Sequence, residues 1–440
     1  MEKIERRELG FSAVLLAGLL AGLPAPAADF QTLYRFQGGL NGSTPATALA
    51  VDAAGNLYGT TSLGGIEQGP DEYGVVFEVS KPPAKARLWS EQTIFDFSTK
   101  DSGWGPRGPV LLDGSGGLYG TDQNGGPQDY GAVFHLTPPA QPGGQWAEQT
   151  VEDLDGKDGL PVGNLVMAVD GSLVYASVLG GQHAWGGLYL LSPPGNGGSD
   201  WTLSTLYSFE GGSAGYELES GPLLRRSGRV FGATYEGGGA FKGLAYRLVP
   251  PGAGETAWRE RPIYSFEGGT DGAYPEAQLI ADPHGNLYGT TTQGGSTACG
   301  DKPGCGTVLM LSPPHDTGAA AWTETVLYRF QGGKHDGARP IAGLFRDRSG
   351  ALYGTAESGG TGPCFGTKGC GVVFKLKPPA EGQTVWTETL LHVFSGYGDG
   401  AEPGAPLVPG PGNWLYGTSK GRITDRGAPH TYGTVFRIQP

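Results

Sequence analysis

Carboxylates and aromatic rings set in glycine-rich loops are the side chains of this chain with most to offer chemically. One pattern recurs: Asp271-Gly272-x-x-Pro275, Asp336-Gly337-x-x-Pro340 and Asp399-Gly400-x-x-Pro403, with Asn41-Gly42-x-x-Pro45 and the shorter Asp158-Gly159-x-Pro161 as variants. Carboxylates presented at the same point of successive loops can hold a calcium ion or bond sugar hydroxyls. Equally, each Asp can cap its own turn through a side-chain oxygen while Gly takes the unusual dihedral. Recurrence along the chain favours capping, because a ligand site rarely needs many equal copies. Elsewhere the repeated text is broken by His183, Trp185, Tyr216, Glu217, Glu219, Arg225, Arg226, Tyr235 and Glu236, with Trp104 as a further extra aromatic. Aromatic faces beside carboxylates suit carbohydrate, by stacking and hydrogen bonding. Unselected divergence accounts for the same residues about as well. The candidate ligand-binding set is Asp271, Asp336, Asp399, Trp104, Trp185, Tyr216, Glu217 and Glu236.

No catalytic constellation accompanies them. The seven histidines are scattered and form no His-x-His or His-x-x-x-His pair, so a metal centre has little support. There is no Gly-x-Ser-x-Gly elbow and no phosphate loop with a Lys-Ser/Thr ending. Asp52-x-x-Gly55-Asn56 and Asp282-x-x-Gly285-Asn286 look like fragments of a calcium loop but lack its other ligands, and read as hairpin turns. A net charge of -13 argues against a nucleic-acid partner and fits a soluble surface that can attract cations.

The N-terminus reads as a secretory signal over residues 1–27. Lys3, Arg6 and Arg7 precede an apolar run from Phe11 to Leu23, and Ala25-Pro26-Ala27 offers a cleavage site. No other stretch is apolar enough to span a membrane as a helix. The four cysteines form two Cys-x5-Cys pairs, Cys299/Cys305 and Cys364/Cys370. Two small disulfide loops suit an exported protein; a four-Cys zinc site is the alternative, though zinc usually takes shorter spacings.

The elements that must position these loops are short strands. A phrase best seen in Gly285-Asn286-Leu287-Tyr288-Gly289-Thr290-Thr291 returns with its aromatic at Tyr58, Tyr119, Tyr175, Phe231, Tyr288, Tyr353 and Tyr416. Each copy divides into four strand candidates, a to d, separated by Gly and Pro turns. In the fifth copy they are 277–281, 286–292, 307–312 and 322–330, the last alternating Trp, Glu, Val, Tyr and Phe on one face. Seven four-stranded repeats predict an all-β fold: a seven-bladed β-propeller forming one domain over residues 28–440. The mature chain starts with a d strand and ends with a c strand, so pairing the two closes the ring and removes its open edges. Helix is expected to be close to nil.

The wording of Leu327 to Gly333, Asp282 to Thr291 and Gly371 to Pro379 resembles the GloVer tandem repeat of bacterial exported proteins, over nearly the whole mature chain. The resemblance implies no established activity and so no catalytic residues. Members of that family often carry C-terminal sorting tails; here the sequence stops at Pro440, which points to a secreted or periplasmic protein.

The expected function is a non-catalytic module, a monomer without a required cofactor, binding a glycan or an extracellular protein on the face that carries the d–a and b–c loops. The rivals are a polysaccharide lyase or glycosidase built on repeats two to four, with Glu217 and Glu236 as acid and base, and a structural envelope protein.

Overall fold

The computed structural model describes residues 28–65, 73–83, 88–97, 105–141, 143–195, 198, 200–295, 299, 302–314, 321–364, 369–421 and 431–440. The segment read as a signal, 1–27, lies outside them, as do Trp104, His315 and His430.

Among the described residues there are seven four-stranded antiparallel sheets and two small two-stranded ladders. Helix is confined to single 3-10 turns such as Gly39–Asn41 and Gly333–His335. Blade 5 is typical: strand a is Ile280–Ala281, b is Leu287–Thr291, c is Thr307–Ser312 and d is Thr323–Arg329. Blade 7 joins the chain's two ends. Its strands are Val408–Pro409, Leu415–Ser419, Thr434–Gln439 and, as strand d, Asp29–Arg35 from the N-terminus. The expected ring closure is therefore present, with Asp29 opposite Gln439 and Arg35 opposite Thr434.

The recurring tyrosine ties its hairpin together. Asp282 takes the amide protons of His284 and Asn286 through Oδ1, and the Tyr288 hydroxyl donates to its Oδ2 at 3.2 Å. Asp347 repeats this with Tyr353, and Asp52 with Tyr58. The calcium-like fragments are thus hairpin turns.

Of the Gly-Thr that follows the tyrosine, the glycine makes room inside its own blade and the threonine reaches the next one. A β-carbon on Gly59 would stand 2.6 Å from Phe77 Cζ, so only glycine leaves room for that ring. The next residue clips the ring together: Thr290 Oγ1 donates to Ala342 O, Thr355 to Ala405 O and Thr418 to Thr47 O, each in the following blade. Apolar burial fills the same seams. Val308, Leu327 and Phe330 of blade 5 pack with Leu352, Phe374 and Leu376 of blade 6.

Three details differ from the sequence reading. Regular pairing in strand a is limited to two residues, Ile280–Ala281, and just before it the Gln278 side chain donates to Pro222 O and accepts from Asn164. The alternation of strand d breaks at a bulge: Leu309 pairs with Val326 and Val308 with Tyr328, which turns Leu327 inward. Blade 3 is one residue out of step. Leu173 pairs with Leu191 as Leu57 does with Val79, so Val174 stands where the other blades have tyrosine or, in blade 4, Phe231, and Tyr175 stands at the glycine position. There it stacks on Tyr189, ring centroids 5.1 Å apart, and the two hydroxyls donate to Asp158 O and Lys157 O.

Candidate binding face

Between Gly42 and Pro45, and at the matching point of other d–a loops, a non-glycine residue sits in the left-handed region. These residues are Thr44, Leu160, Glu217, Tyr274, Arg339 and Glu402, with φ between 54° and 60°. Such a residue costs about 1 kcal/mol or more apiece, so the structure must hold it there. It does so with hydrogen bonds: Tyr274 N donates to Lys242 O of the preceding blade, and Tyr274 O accepts from Thr292 N. Arg339 and Glu402 are held in the same way by Cys305 O and Cys370 O. In most blades the residue after the loop proline, or at its place, lines the rim of the axis, as Arg107, Glu219, Glu276 and Ile341 do.

That rim encloses a cup of about 550 Å³, bordered by Thr44, Arg107, Glu219, Glu276, Ile341 and Lys420, from six different blades. Its charges are mixed. Lys420 Nζ donates to Glu357 Oε1 at 3.0 Å, and Arg339 lies 3.6 Å from the other oxygen of Glu357. Glu276 is pushed up to about 7, chiefly by burial, with Glu219 and Glu357 adding to the shift and Arg339 opposing it. Burial and Glu217 also raise Glu219, against the pull of Arg107; its surface is open to the cup although protein surrounds it.

A shelf runs outward from the cup over blades 3 to 5. Trp185 is 45% exposed and meets Tyr216 edge-on at 5.2 Å. Tyr216 and Glu236 pair through their backbones, and the Tyr216 hydroxyl donates to the Glu236 carboxylate, which pushes that phenol up to about 12. Glu217 is raised by burial and by Glu236. Nearby, Tyr235 and Tyr274 lie 4.9 Å apart, and Lys242 Nζ donates to the Tyr274 hydroxyl at 2.6 Å.

The structure thus brings together four of the expected residues, Trp185, Tyr216, Glu217 and Glu236. It places Asp271, Asp336 and Asp399 differently, each engaged with its own loop and the strand d that leads into it. Asp271 accepts from the Tyr264 hydroxyl and from the amides of Glu267 and Gly272. Asp336 accepts from the amides of Gln331 and Gly337, and Asp399 from His392 and from Ser395. Among the described residues no group of three or more His, Cys, Asp or Glu is arranged to hold a metal ion. Cys299–Cys305 and Cys364–Cys370 are disulfides, which removes the zinc alternative.

Sequence reasoning missed Tyr274, Glu276, Arg339, Glu357 and Lys420. A signal was present. The first three occupy the variable positions flanking the loop proline, and the last two directly follow strand b. In a repeat whose frame is held constant, the columns that vary are the ones facing the axis.

Fold and face together define a disulfide-bearing seven-bladed β-propeller with an axial cup and an aromatic, acidic shelf. The chain belongs to the Gloeobacter/Verrucomicrobia repeat family, whose family model matches residues 17–161 and 161–422. A search of curated proteins finds no match. Among solved structures, a fungal alcohol oxidase of the AA5 family, in complex with copper, is 12% identical, with a TM-score of 0.52 over 94% of this chain and 77% of the other. The PQQ-bound aldose sugar dehydrogenase of Streptomyces coelicolor is 12% identical, with a TM-score of 0.40 over 94% of this chain and 100% of that one. A carbohydrate-active enzyme of family AA12 from Trichoderma reesei is 10% identical, with a TM-score of 0.40 over 94% and 96% of the two chains. The first of these likenesses is one of fold alone.

Proposed function

We propose that the protein is an exported, non-catalytic module that binds a glycan on the shelf formed by Trp185, Tyr216, Glu217 and Glu236 and on the adjoining cup. The observation that carries the reading is the Trp185–Tyr216 pair beside the Glu236 carboxylate: an exposed ring face next to a fixed acceptor. A sugar ring stacks on the first and bonds the second. Export is supported by the two disulfides and by the signal-like start of the sequence.

The test is incubation with a panel of extracellular polysaccharides, with and without a calcium chelator, following both retention and chain length by mass spectrometry. Retained, intact glycans support the module. No retention of any polymer sinks it and turns the search to protein partners. Shortened glycans establish the second reading, a glycosidase or lyase. One observation favours that alternative: Glu217 is raised by burial and by the neighbouring Glu236, as an acid in a catalytic pair would be.

A further inference from the structure

The outer seams of the ring carry a second set of carboxyls, remote in role from the binding face. In blades 4, 5 and 6 the second residue of strand d is a glutamate: Glu260, Glu324 and Glu388. Each faces the strand d of the blade before it, and in each the Oε1 oxygen is buried without a protein hydrogen-bond partner. The opposing residues are Tyr207, Tyr264 and Tyr328. A phenol has one proton to give, and in two of the seams it is already given away. Tyr264 donates to Asp271 and Tyr328 to Asp336. The seam that closes the ring is built differently. There Glu91 receives the Tyr34 hydroxyl at 3.0 Å, together with Asn41 and Thr93.

A half-buried carboxylate with no donor is expensive; a carboxylic acid is not. We propose that Glu260, Glu324 and Glu388 are protonated seam acids, so that the propeller is tightest in mildly acidic surroundings and loosens as these three carboxyls ionise.

The charged surroundings agree. Burial first pushes each carboxyl up to about 7 from the ordinary 4.5. Glu260 faces Tyr207 and lies by Tyr246 of strand c, with Arg261 the group that favours its ionised form. Glu324 faces Tyr264 and the Asp271 carboxylate, with Arg329 opposing. Glu388 faces Tyr328 and Asp336. Because the folded carboxyls hold protons more tightly than the unfolded ones, their stabilising contribution is complete below 4.5 and is lost as pH rises through about 7.

The experiment is thermal unfolding of the purified chain from about pH 5 to about pH 8.5, beside the variant Glu260→Gln/Glu324→Gln/Glu388→Gln. Glutamine keeps the shape of the neutral acid and cannot ionise. The natural chain is expected to lose about 3 °C or more across this range. The variant should match it at the acid end and stay flatter, hence more stable, at the alkaline end. A natural profile that is level or rises over the range overturns the proposal, as does a variant with the unaltered slope. Should the triple variant fail to fold, Glu324→Gln alone is compared by infrared spectroscopy at about pH 6. Loss of a protonated-carboxyl band supports the proposal, and absence of that band from the natural protein overturns it.

Discussion

Cys305 of blade 5 and Trp185 of blade 3 hold the same place in the ring. Each precedes the glycine that leads into strand c, and each covers a glycine of the next d–a loop. A β-carbon on Gly332 would stand 2.9 Å from Cys305 Sγ, and one on Gly211 3.0 Å from Trp185 Cδ1. Tyr432 does the same over Gly38, and Cys370 over Gly396. The disulfides therefore substitute for aromatic plugs, and need no redox role.

From this equivalence, reducing the disulfides should weaken the fold without destroying the ring. Each closes a loop with a sequence separation of only 6, so the loss of chain constraint is modest, about 2 kcal/mol per bridge. Denaturant midpoints with and without reductant check it, with retention on the polysaccharide matrix unchanged.

The two kinds of acidic residue on the candidate face should part company under mutation. Asp271→Ala strands the Tyr264 hydroxyl and two backbone amides, and is expected to cost about 1–3 kcal/mol of stability with little effect on glycan retention. Trp185→Ala together with Glu236→Gln should lower retention about tenfold or more, the loss of one stacked ring and one acceptor. Affinity chromatography beside thermal unfolding separates the outcomes; a weakened Asp271→Ala interaction at full stability would return that loop to the site.

Acid should unfold the protein through its hairpins. Partial burial raises Asp282, but hydrogen bonds from Asn286, Tyr288 and the His284 amide outweigh it and hold the carboxyl below 3.8. Asp347 and Asp113 are depressed likewise, against their own burial, by Ser349 and Tyr353 and by His135. Their contribution is present above 3.8 and is lost as pH falls through the depressed values. Combined with the seam glutamates, this gives a stability maximum between about pH 4 and pH 5, read from unfolding midpoints across the pH range.

Gly59→Ala tests the close approach that the repeated Gly-Thr encodes. The new methyl would press on the Phe77 ring and should cost about 1–3 kcal/mol, measured as a shifted denaturant midpoint at unchanged slope.

The architecture was legible because a repeat announces itself. Turn residues, strand period and the phase offset between the ends led to seven blades and to the closing strand. The slip in blade 3 was not legible, since Val174-Tyr175 and Leu57-Tyr58 look alike as text, and only the pairing of Leu173 with Leu191 sets the register. For the binding face, the sequence singled out residues that break the consensus, and Trp185, Tyr216, Glu217 and Glu236 do meet. It could not show that Asp271 faces the tyrosine of the strand d leading into its loop, nor that Glu276, Glu357 and Lys420 converge from three blades, because convergence at an axis is a property of the closed ring.

The clasp that closes the ring also determines how it yields to force. Asp29 lies opposite Gln439, so residues 28 and 440 leave the strand pair at the same end. Tension between them peels the pair one hydrogen bond at a time, as a zipper opens, instead of shearing all its bonds at once. A molecule tethered by both ends would part at this seam under a small load while its other blades remained stacked, and would snap shut when the load was released.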